Sequence, residues 1–174
     1  MSQTDKMRIA ILTVSDRSAR GEREDASGPA LKDVVKAQGW KVAATGLVAD
    51  DLPAIQTALV NWSRQGDVDI ILTTGGTGFA PRDITPEATL GVIERQAPGL
   101  ADAMRAESLK VTPHAMLSRA VTGILGKTLI INLPGSPRAA VENLQTILPV
   151  LPHAVELLQD SPTSESGHQP HARM

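Results

Sequence analysis

The sequence predicts a three-layer α/β/α single domain, in which helices cover both faces of a mostly parallel β-sheet with an antiparallel edge strand. Short aliphatic runs alternate with segments of helical apolar spacing, which is typical of parallel strands joined by crossover helices. A chain of 174 residues fits one compact domain. Because 41% of the residues are hydrophobic but only 2% are aromatic, the core must be mainly aliphatic.

The strands are predicted from aliphatic runs that end in small or polar residues. Residues 118–128 resemble a hairpin arm, which supplies the antiparallel edge. The four core strands are predicted over residues 8–14, 40–48, 69–74 and 128–133.

The helices are predicted from apolar spacing and from proline near the first helical position. Their expected spans are residues 28–38, Pro53 to about Arg64, a helix opened by Thr85 and Pro86, Pro98 to about Ser108, a looser turn at 114–117, and 136–159 interrupted by Pro149 and Pro152. The domain is predicted over residues 1–160. Residues 161–174 lack an apolar pattern and are expected to form a flexible tail.

Composition excludes several classes of function. The net charge is −2, so no global field favours nucleic acid, and the few aromatic side chains provide no base-stacking platform. The absence of cysteine excludes disulfides and thiolate metal sites. No apolar segment approaches the roughly 18 residues that a membrane span needs, and the polar start is no secretory signal. We therefore expect a cytoplasmic protein without nucleic-acid or membrane partners.

Polar and small residues gather where the four predicted core strands end. In an open α/β sheet, ligands bind in the crevice beyond the carboxyl ends of the strands, so this edge is the expected site. The residues concerned are Thr13, Ser15 and Asp16, then Asp50 and Asp51, then Thr73 to Gly78, and finally Asn132 to Ser136.

Two of these loops, TTGGTG (73–78) and NLPGSPR (132–138), combine glycine with a following helix start. Neither is a dinucleotide fingerprint or a Walker sequence. Either could offer backbone N–H groups to a phosphate, or could simply connect strand to helix. Taken together, and with Arg17, Arg82 and Arg138 nearby in sequence, the loops favour an anion site.

Asp50 and Asp83 are the candidate reactive carboxylates. Such groups bind Mg²⁺ beside substrate phosphates, or position an attacking group. Alternatively, Asp50 or Asp51 caps the next helix, and Asp83 forms a surface ion pair with Arg82 or a neighbouring arginine. No H-E-x-x-H pair is present, so a zinc site is not expected. On pattern alone, Ser118 is an ordinary loop serine.

Three segments together resemble a known family. ILTVSDRSARGEREDASGPAL, TTGGTGFAPRDITPEAT and PHAMLSRAVTGILGKTLIINLPGSPRA are similar to the molybdopterin-binding family of molybdenum cofactor biosynthesis. The likeness is greatest to molybdopterin adenylyltransferases, including the G domain of gephyrin and its plant counterpart, and runs from about Arg8 to Leu158. It implies a molybdopterin-binding fold. It also implies transfer of AMP from Mg-ATP to the terminal phosphate of molybdopterin, with release of pyrophosphate.

The resemblance also assigns residues to roles. It implies that Asp50 and Asp83 are catalytic, with Asp50 the candidate Mg²⁺ ligand. Ser118 and Asn132 match positions tied to the pterin and its phosphate. Together with residues from the ends of the predicted core strands, the predicted substrate-binding set is Thr13, Ser15, Asp16, Thr74, Gly75, Gly76, Thr77, Gly78, Ser118, Asn132, Gly135 and Ser136.

Relatives of this kind are usually homotrimers. The stretch ILPVLPHAVELL (147–158) has more apolar residues than one buried face of a single helix requires, which favours association. The expected downstream partner is a separate molybdate-inserting protein. Two alternatives stay open: a binding-only protein that holds molybdopterin, and a nucleotide pyrophosphatase. The presence of both Asp50 and Asp83 favours the transferase over the first, and the segment SLKVTPHAMLSR (108–119) disfavours the second.

Overall fold

The computed structural model describes residues 7–160, so the predicted tail at 161–174 lies outside the described residues. The strands are β1 (Arg8–Val14), β2 (Lys41–Val48), β3 (Ile70–Thr74), β4 (Arg95–Gln96), β5 (Thr122–Leu125) and β6 (Thr128–Leu133). They form one sheet in the order β2-β1-β3-β6-β5-β4. The first four in that order are parallel, whereas β5 and β4 are antiparallel to their neighbours.

The helices are α1 (Asp16–Ala19), α2 (Ser27–Ala37), α3 (Leu52–Gln65), α4 (Thr85–Leu90), α5 (Pro98–Leu109), α6 (Pro137–Ile147) and α7 (Leu151–Leu158). Short 3-10 turns cover Pro113–Leu117 and Leu148–Val150. Helices α3 to α7 each have proline at one of their first two positions, where its missing N–H costs no helical hydrogen bond. In residues 7–160, no helix is long and apolar enough to cross a bilayer.

Both faces of the sheet are buried, as the aliphatic strands predict. Successive side chains of a strand point to opposite faces, so alternate residues contribute to two separate cores. Residues of β1, β3 and β6 pack on one side against α2, α5, α6 and α7. On the other side, the intervening residues pack against α3 and α4. The predicted three-layer α/β/α class is confirmed.

Two local features differ from the predicted ones. Within residues 118–128, β5 is antiparallel as predicted, but it is not the edge strand. The edge is β4, which is too short and too exposed to produce a strand pattern. Helix α1 was not predicted, because one turn has no apolar periodicity; it is capped by Ser15, whose hydroxyl accepts from the Ser18 N–H. The predicted interruption of the helical segment 136–159 is confirmed, because a 3-10 turn over Leu148–Val150 separates α6 from α7.

Backbone hydrogen bonds bring the strand ends together. The Ser15 N–H donates to the Val48 carbonyl at 2.9 Å, which joins the ends of β1 and β2. The Gly75 N–H donates to the Leu133 carbonyl at 3.1 Å, which joins the ends of β3 and β6. Because all four strands run in the same direction, the loops that follow them meet at one edge of the sheet.

Candidate functional site

A cavity of about 350 Å³ lies at that edge. Ten of the predicted site residues line it: Thr13, Ser15, Asp16, Asp50, Thr74, Gly75, Gly76, Asp83, Gly135 and Ser136. Its wall also contains Arg17 and Arg82, together with a segment that was not predicted, residues 23–27. Four predicted residues, Thr77, Gly78, Ser118 and Asn132, are not part of the wall.

Asp16 and Asp50 are joined by two reciprocal hydrogen bonds. The Asp50 Oδ2 accepts from the Asp16 N–H at 2.9 Å, and the Asp16 Oδ1 accepts from the Asp50 N–H at 2.9 Å. The helix cap is the neighbouring residue, since Asp51 Oδ2 accepts from the Ala54 N–H at the start of α3. Asp50 is therefore not the cap of α3, and it contributes to the cavity wall.

The environment of Asp50 disfavours its negative charge. Burial raises the pKa of the Asp50 carboxyl, and the carboxylates of Asp16 and Asp83 raise it further. The Asp16 N–H and the charge of Arg82 act in the opposite direction but do not cancel the effect. A cation bound beside Asp50 would relieve this repulsion. The site is consequently electrostatically suited to a divalent metal.

No group of three or more His, Cys, Asp or Glu side chains within residues 7–160 is arranged to hold a metal ion. Mg²⁺ does not require such a group, because it is commonly held by one or two carboxylates together with substrate phosphates and water. Asp50 with the nearby Asp16 and Asp83 therefore fits Mg²⁺ that arrives with a polyphosphate. The same residues do not fit a cage made of protein ligands alone.

The first glycine loop approaches its neighbours too closely for any side chain. Gly75 has φ +102° and Gly76 has φ +66°. A Cβ at Gly75 would overlap the Val14 carbonyl oxygen, and one at Gly76 would lie 3.0 Å from Asp50 Oδ1 and overlap the Thr85 hydroxyl. Glycine is thus required at both positions, by backbone conformation and by space.

Hydroxyl groups hold the two glycine loops in place. The Thr74 hydroxyl donates to the Pro134 carbonyl at 2.7 Å, which links the loop after β3 to the loop after β6. The Thr85 hydroxyl donates to the Gly75 carbonyl at 2.9 Å. Thr85 was expected to cap α4, but the N-cap is Ile84, which has no side-chain cap bond. The hydroxyl of Thr85 fixes the glycine loop instead.

Asp83 is held by its own turn. Its Oδ2 accepts from the Ala80 N–H at 2.9 Å. A Cβ at Gly78 would lie 2.9 Å from the same oxygen, so the carboxylate occupies the space above this glycine. The alternative of a surface ion pair is not observed, because Asp83 forms no ion pair within the described chain.

Within residues 23–27, the wall segment that was not predicted, Asp25 accepts the hydrogen bonds. Its carboxylate accepts from the Thr13 hydroxyl at 2.7 Å and from the Gly28 N–H at 3.0 Å. A weaker contact joins it to the Ser27 hydroxyl at 3.4 Å. The signal in the sequence was an aspartate three residues before a glycine in a first helical turn, which is a local capping pattern. Nothing local indicated that Thr13 would be its second partner.

Three arginines contribute positive charge to a cavity wall that also contains five acidic residues. Arg17, Arg23 and Arg82 line it, and none of the three takes part in an ion pair with another described residue. Arg138 was also expected near an anion site. It lies outside the cavity wall, is exposed, and forms an ion pair with Glu142 at 2.8 Å along α6.

Asn132 is buried on the face of the sheet that packs against α4. Its side chain donates to the hydroxyls of Thr73 and Thr89 at 3.0 Å and 2.9 Å, and it accepts from the Val121 N–H at 3.1 Å. It is 0% exposed. In this structure Asn132 joins sheet to helix and presents no free polar atom to the cavity.

Ser118 and the end of the first glycine loop lie beside each other. The N–H of Arg119 donates to the Thr77 carbonyl at 2.9 Å, and the Arg119 Nε donates to the Gly78 carbonyl at 2.7 Å. The Ser118 hydroxyl accepts from the Ala120 N–H at 3.3 Å. These residues border the loop that carries Asp83.

The fold and the cavity define an open-sheet α/β protein with a polar cavity at the carboxyl ends of its parallel strands. A family model described as a probable molybdopterin binding domain matches residues 10–153. The chain belongs to this family.

Three similar proteins illustrate the relationship. The molybdopterin adenylyltransferase of Helicobacter pylori (strain J99) is 41% identical over 152 residues, which are 86% of this chain and 86% of that protein. Gephyrin of Dictyostelium discoideum is 42% identical over 166 residues, and the match covers 90% of this chain but 23% of gephyrin. The molybdopterin biosynthesis enzyme MoaB from Thermus thermophilus is 51% identical in sequence to this chain. Its crystal structure superposes with a TM-score of 0.84, and the match covers 90% of this chain and 98% of that one. The predicted family resemblance is confirmed.

Proposed function

We propose that this chain is a molybdopterin adenylyltransferase, which transfers AMP from ATP to the terminal phosphate of molybdopterin and releases pyrophosphate. An oxygen of the pterin phosphate attacks the α-phosphorus of ATP, and the bond to the oxygen that bridges the α- and β-phosphates breaks. Pyrophosphate leaves with that electron pair. The Helicobacter pylori protein of this name, which matches over most of both chains, supports the proposal.

The observation that carries the proposal is the convergence of Asp50, Asp83 and the glycine loop on one cavity. Transfer between phosphates is accelerated mainly by positioning and by neutralising charge. Arg17, Arg23 and Arg82 provide positive charge for a polyphosphate. Gly75 and Gly76 line the same cavity, so the backbone of the glycine loop can contact phosphate oxygens there.

Magnesium belongs to the proposal as the ion that accompanies ATP. Asp50 is its proposed ligand, with the neighbouring carboxylates of Asp16 and Asp83 adding to the negative potential. When bound, Mg²⁺ would offset the charge of the phosphate oxygens. The proposed role of Asp83, whose carboxylate accepts from the Ala80 N–H, is to orient the pterin phosphate.

The proposed assembly is a homotrimer that passes its product to a separate molybdate-inserting protein. Exposed apolar side chains at the carboxyl-terminal helices support an association surface, because Val150 is 50% and Leu157 is 49% exposed. Light scattering at micromolar concentration tests the assembly, and a monomer alone would contradict it.

The test of the activity incubates the protein with molybdopterin, Mg²⁺ and ATP labelled at the α-phosphate. Wild type should form labelled adenylylated pterin, and Asp83→Asn should not. Asp51→Asn is the matched control, since Asp51 caps α3. This variant should transfer AMP at the wild-type rate.

Two results would replace the proposal with one of the predicted alternatives. Tight binding of molybdopterin without transfer would identify a binding-only protein. Release of labelled AMP in the absence of pterin would identify a nucleotide pyrophosphatase.

A further inference from the structure

The guanidinium group of Arg119 holds one segment at three points. Its Nε donates to the Gly78 carbonyl at 2.7 Å, its Nη2 donates to the Asp83 carbonyl, and its Nη1 pairs with the Glu87 carboxylate. The segment from Gly78 to Glu87 is therefore bound by one side chain at its start, its middle and its end.

Only arginine can make this set of contacts. Its rigid planar group directs donors from three nitrogens in fixed directions, whereas lysine has a single ammonium on a flexible stem. Burial alone would raise the pKa of the Glu87 carboxyl, but the hydrogen bond and charge of Arg119 lower it overall. Glu87 is consequently an ionised partner at neutral pH, which fixes the far end of the guanidinium.

The segment that Arg119 holds carries two residues of the cavity wall, Arg82 and Asp83. Between its fixed points the turn is exposed to solvent, with Phe79 68% exposed. The Asp83 carboxylate gets its direction from the Ala80 N–H, a local bond inside this turn. The position of the turn depends on the carbonyls of Gly78 and Asp83, and Arg119 binds both.

We infer that Arg119 is a positioning residue that sets the direction of the Asp83 carboxylate by clamping the Gly78 and Asp83 carbonyls. Arg119 is not in the cavity wall and touches no reacting group. As a statement about catalysis, the inference rests on the proposed adenylyl transfer. As a statement about the turn, it stands on the hydrogen bonds alone.

The experiment compares Arg119→Lys with wild type and with Arg105→Lys. Arg105 is a matched control, because it also pairs with a carboxylate, that of Asp102, and donates to a backbone carbonyl, that of Ala120. If the inference is correct, Arg119→Lys lowers kcat about 100-fold and leaves KM for ATP within about twofold, since displacing a positioned group affects the transition state most. Arg105→Lys should keep the wild-type kcat.

Amide hydrogen exchange supplies a readout that does not need activity. In Arg119→Lys the exchange of the Ala80 N–H should rise about tenfold or more, while the Ala139 N–H at the start of α6 should not change. Added guanidinium ion should restore part of the activity of Arg119→Ala. If Arg119→Lys does not melt cooperatively, Glu87→Gln makes the same comparison, because it loosens the guanidinium without removing it.

The outcomes separate the inference from the proposed function. A wild-type kcat in Arg119→Lys, or a loss confined to KM, would overturn the inference while leaving the transferase intact. If wild type transfers no AMP, the proposed function fails. The inference about Arg119 is then tested by the exchange of the Ala80 N–H alone. Unchanged exchange would then overturn the inference, and faster exchange would support it.

Discussion

Asp16 and Asp50 each accept a hydrogen bond from the backbone N–H of the other, both at 2.9 Å. The pair ties the end of β2 to the beginning of α1 and leaves two carboxylates close together at the cavity. This arrangement does not favour the charge of Asp50, because burial and the neighbouring carboxylates raise its pKa. Residues of functional sites commonly lower the stability of the folded state in exchange for activity.

Asp50→Asn should abolish AMP transfer and yet stabilise the protein at neutral pH. A carboxyl whose pKa is raised on folding supports the folded state fully below its unfolded pKa, about 3.9, and that support is lost as pH rises through the folded pKa. Thermal melting at pH 4 and pH 7 checks this. The difference in melting temperature, variant minus wild type, should be larger at pH 7 than at pH 4. The opposite order would show that ionised Asp50 is stabilising.

Gly75→Ala should destabilise the protein much more than Gly21→Ala. Both glycines have positive φ, but only Gly75 has a neighbour, the Val14 carbonyl oxygen, in the space of a Cβ. The backbone penalty alone is about 1 kcal/mol, whereas the added overlap should bring the loss at Gly75 to about 3 kcal/mol or more. Urea unfolding measures both. Equal losses would mean that the glycine loop can move away from β1.

Thr13→Val should weaken ATP binding, because it removes the donor that ties Asp25 to β1 at 2.7 Å. Thr128→Val is the control, since its hydroxyl donates to the Val68 carbonyl at the opposite end of the sheet. Each variant should lose about 1 kcal/mol of stability. Calorimetry should detect weaker ATP binding for Thr13→Val alone. Equal affinities would show that residues 23–27 do not depend on this hydrogen bond.

Asn132→Ala tests whether Asn132 is structural or binds substrate. The structure predicts a loss of about 2–4 kcal/mol in the free energy of unfolding, because two buried hydroxyls and one N–H lose their partner. Asn61→Ala, on the exposed face of α3, should change stability by less than about 0.5 kcal/mol. A stable Asn132→Ala protein with weak pterin binding would instead support the role that the resemblance implied.

Arg82→Gln should weaken ATP binding about tenfold, which corresponds to the loss of about 1.4 kcal/mol from one charge-assisted contact. Arg138→Gln should have no such effect, because Arg138 pairs with Glu142 outside the cavity wall. Raising the salt concentration should reduce the difference between Arg82→Gln and wild type, since salt screens partly exposed charges. Equal affinities of the two variants would exclude Arg82 from polyphosphate binding.

Much of the fold could be predicted because its signals are local. Aliphatic runs located the core strands, and prolines located the starts of α3 to α6. The weakest signals were missed, namely the two exposed residues of β4 and the single turn of α1. Pairing with β5 makes β4 a strand, and Ser15 caps α1; neither element has a periodicity of its own.

The sequence by itself determined the layer architecture and the edge at which the site lies, because the order of strands and helices places all parallel strand ends together. The glycines of the first loop were also readable from it. Only the tertiary structure decided which aspartate caps α3, which partners engage Thr13 and Asn132, and how Arg119 holds the turn of Asp83. These contacts join residues far apart in the chain, such as Asp16 and Asp50 at a separation of 34 positions. A local pattern identifies a donor or an acceptor, but the packing of strands and loops chooses its partner.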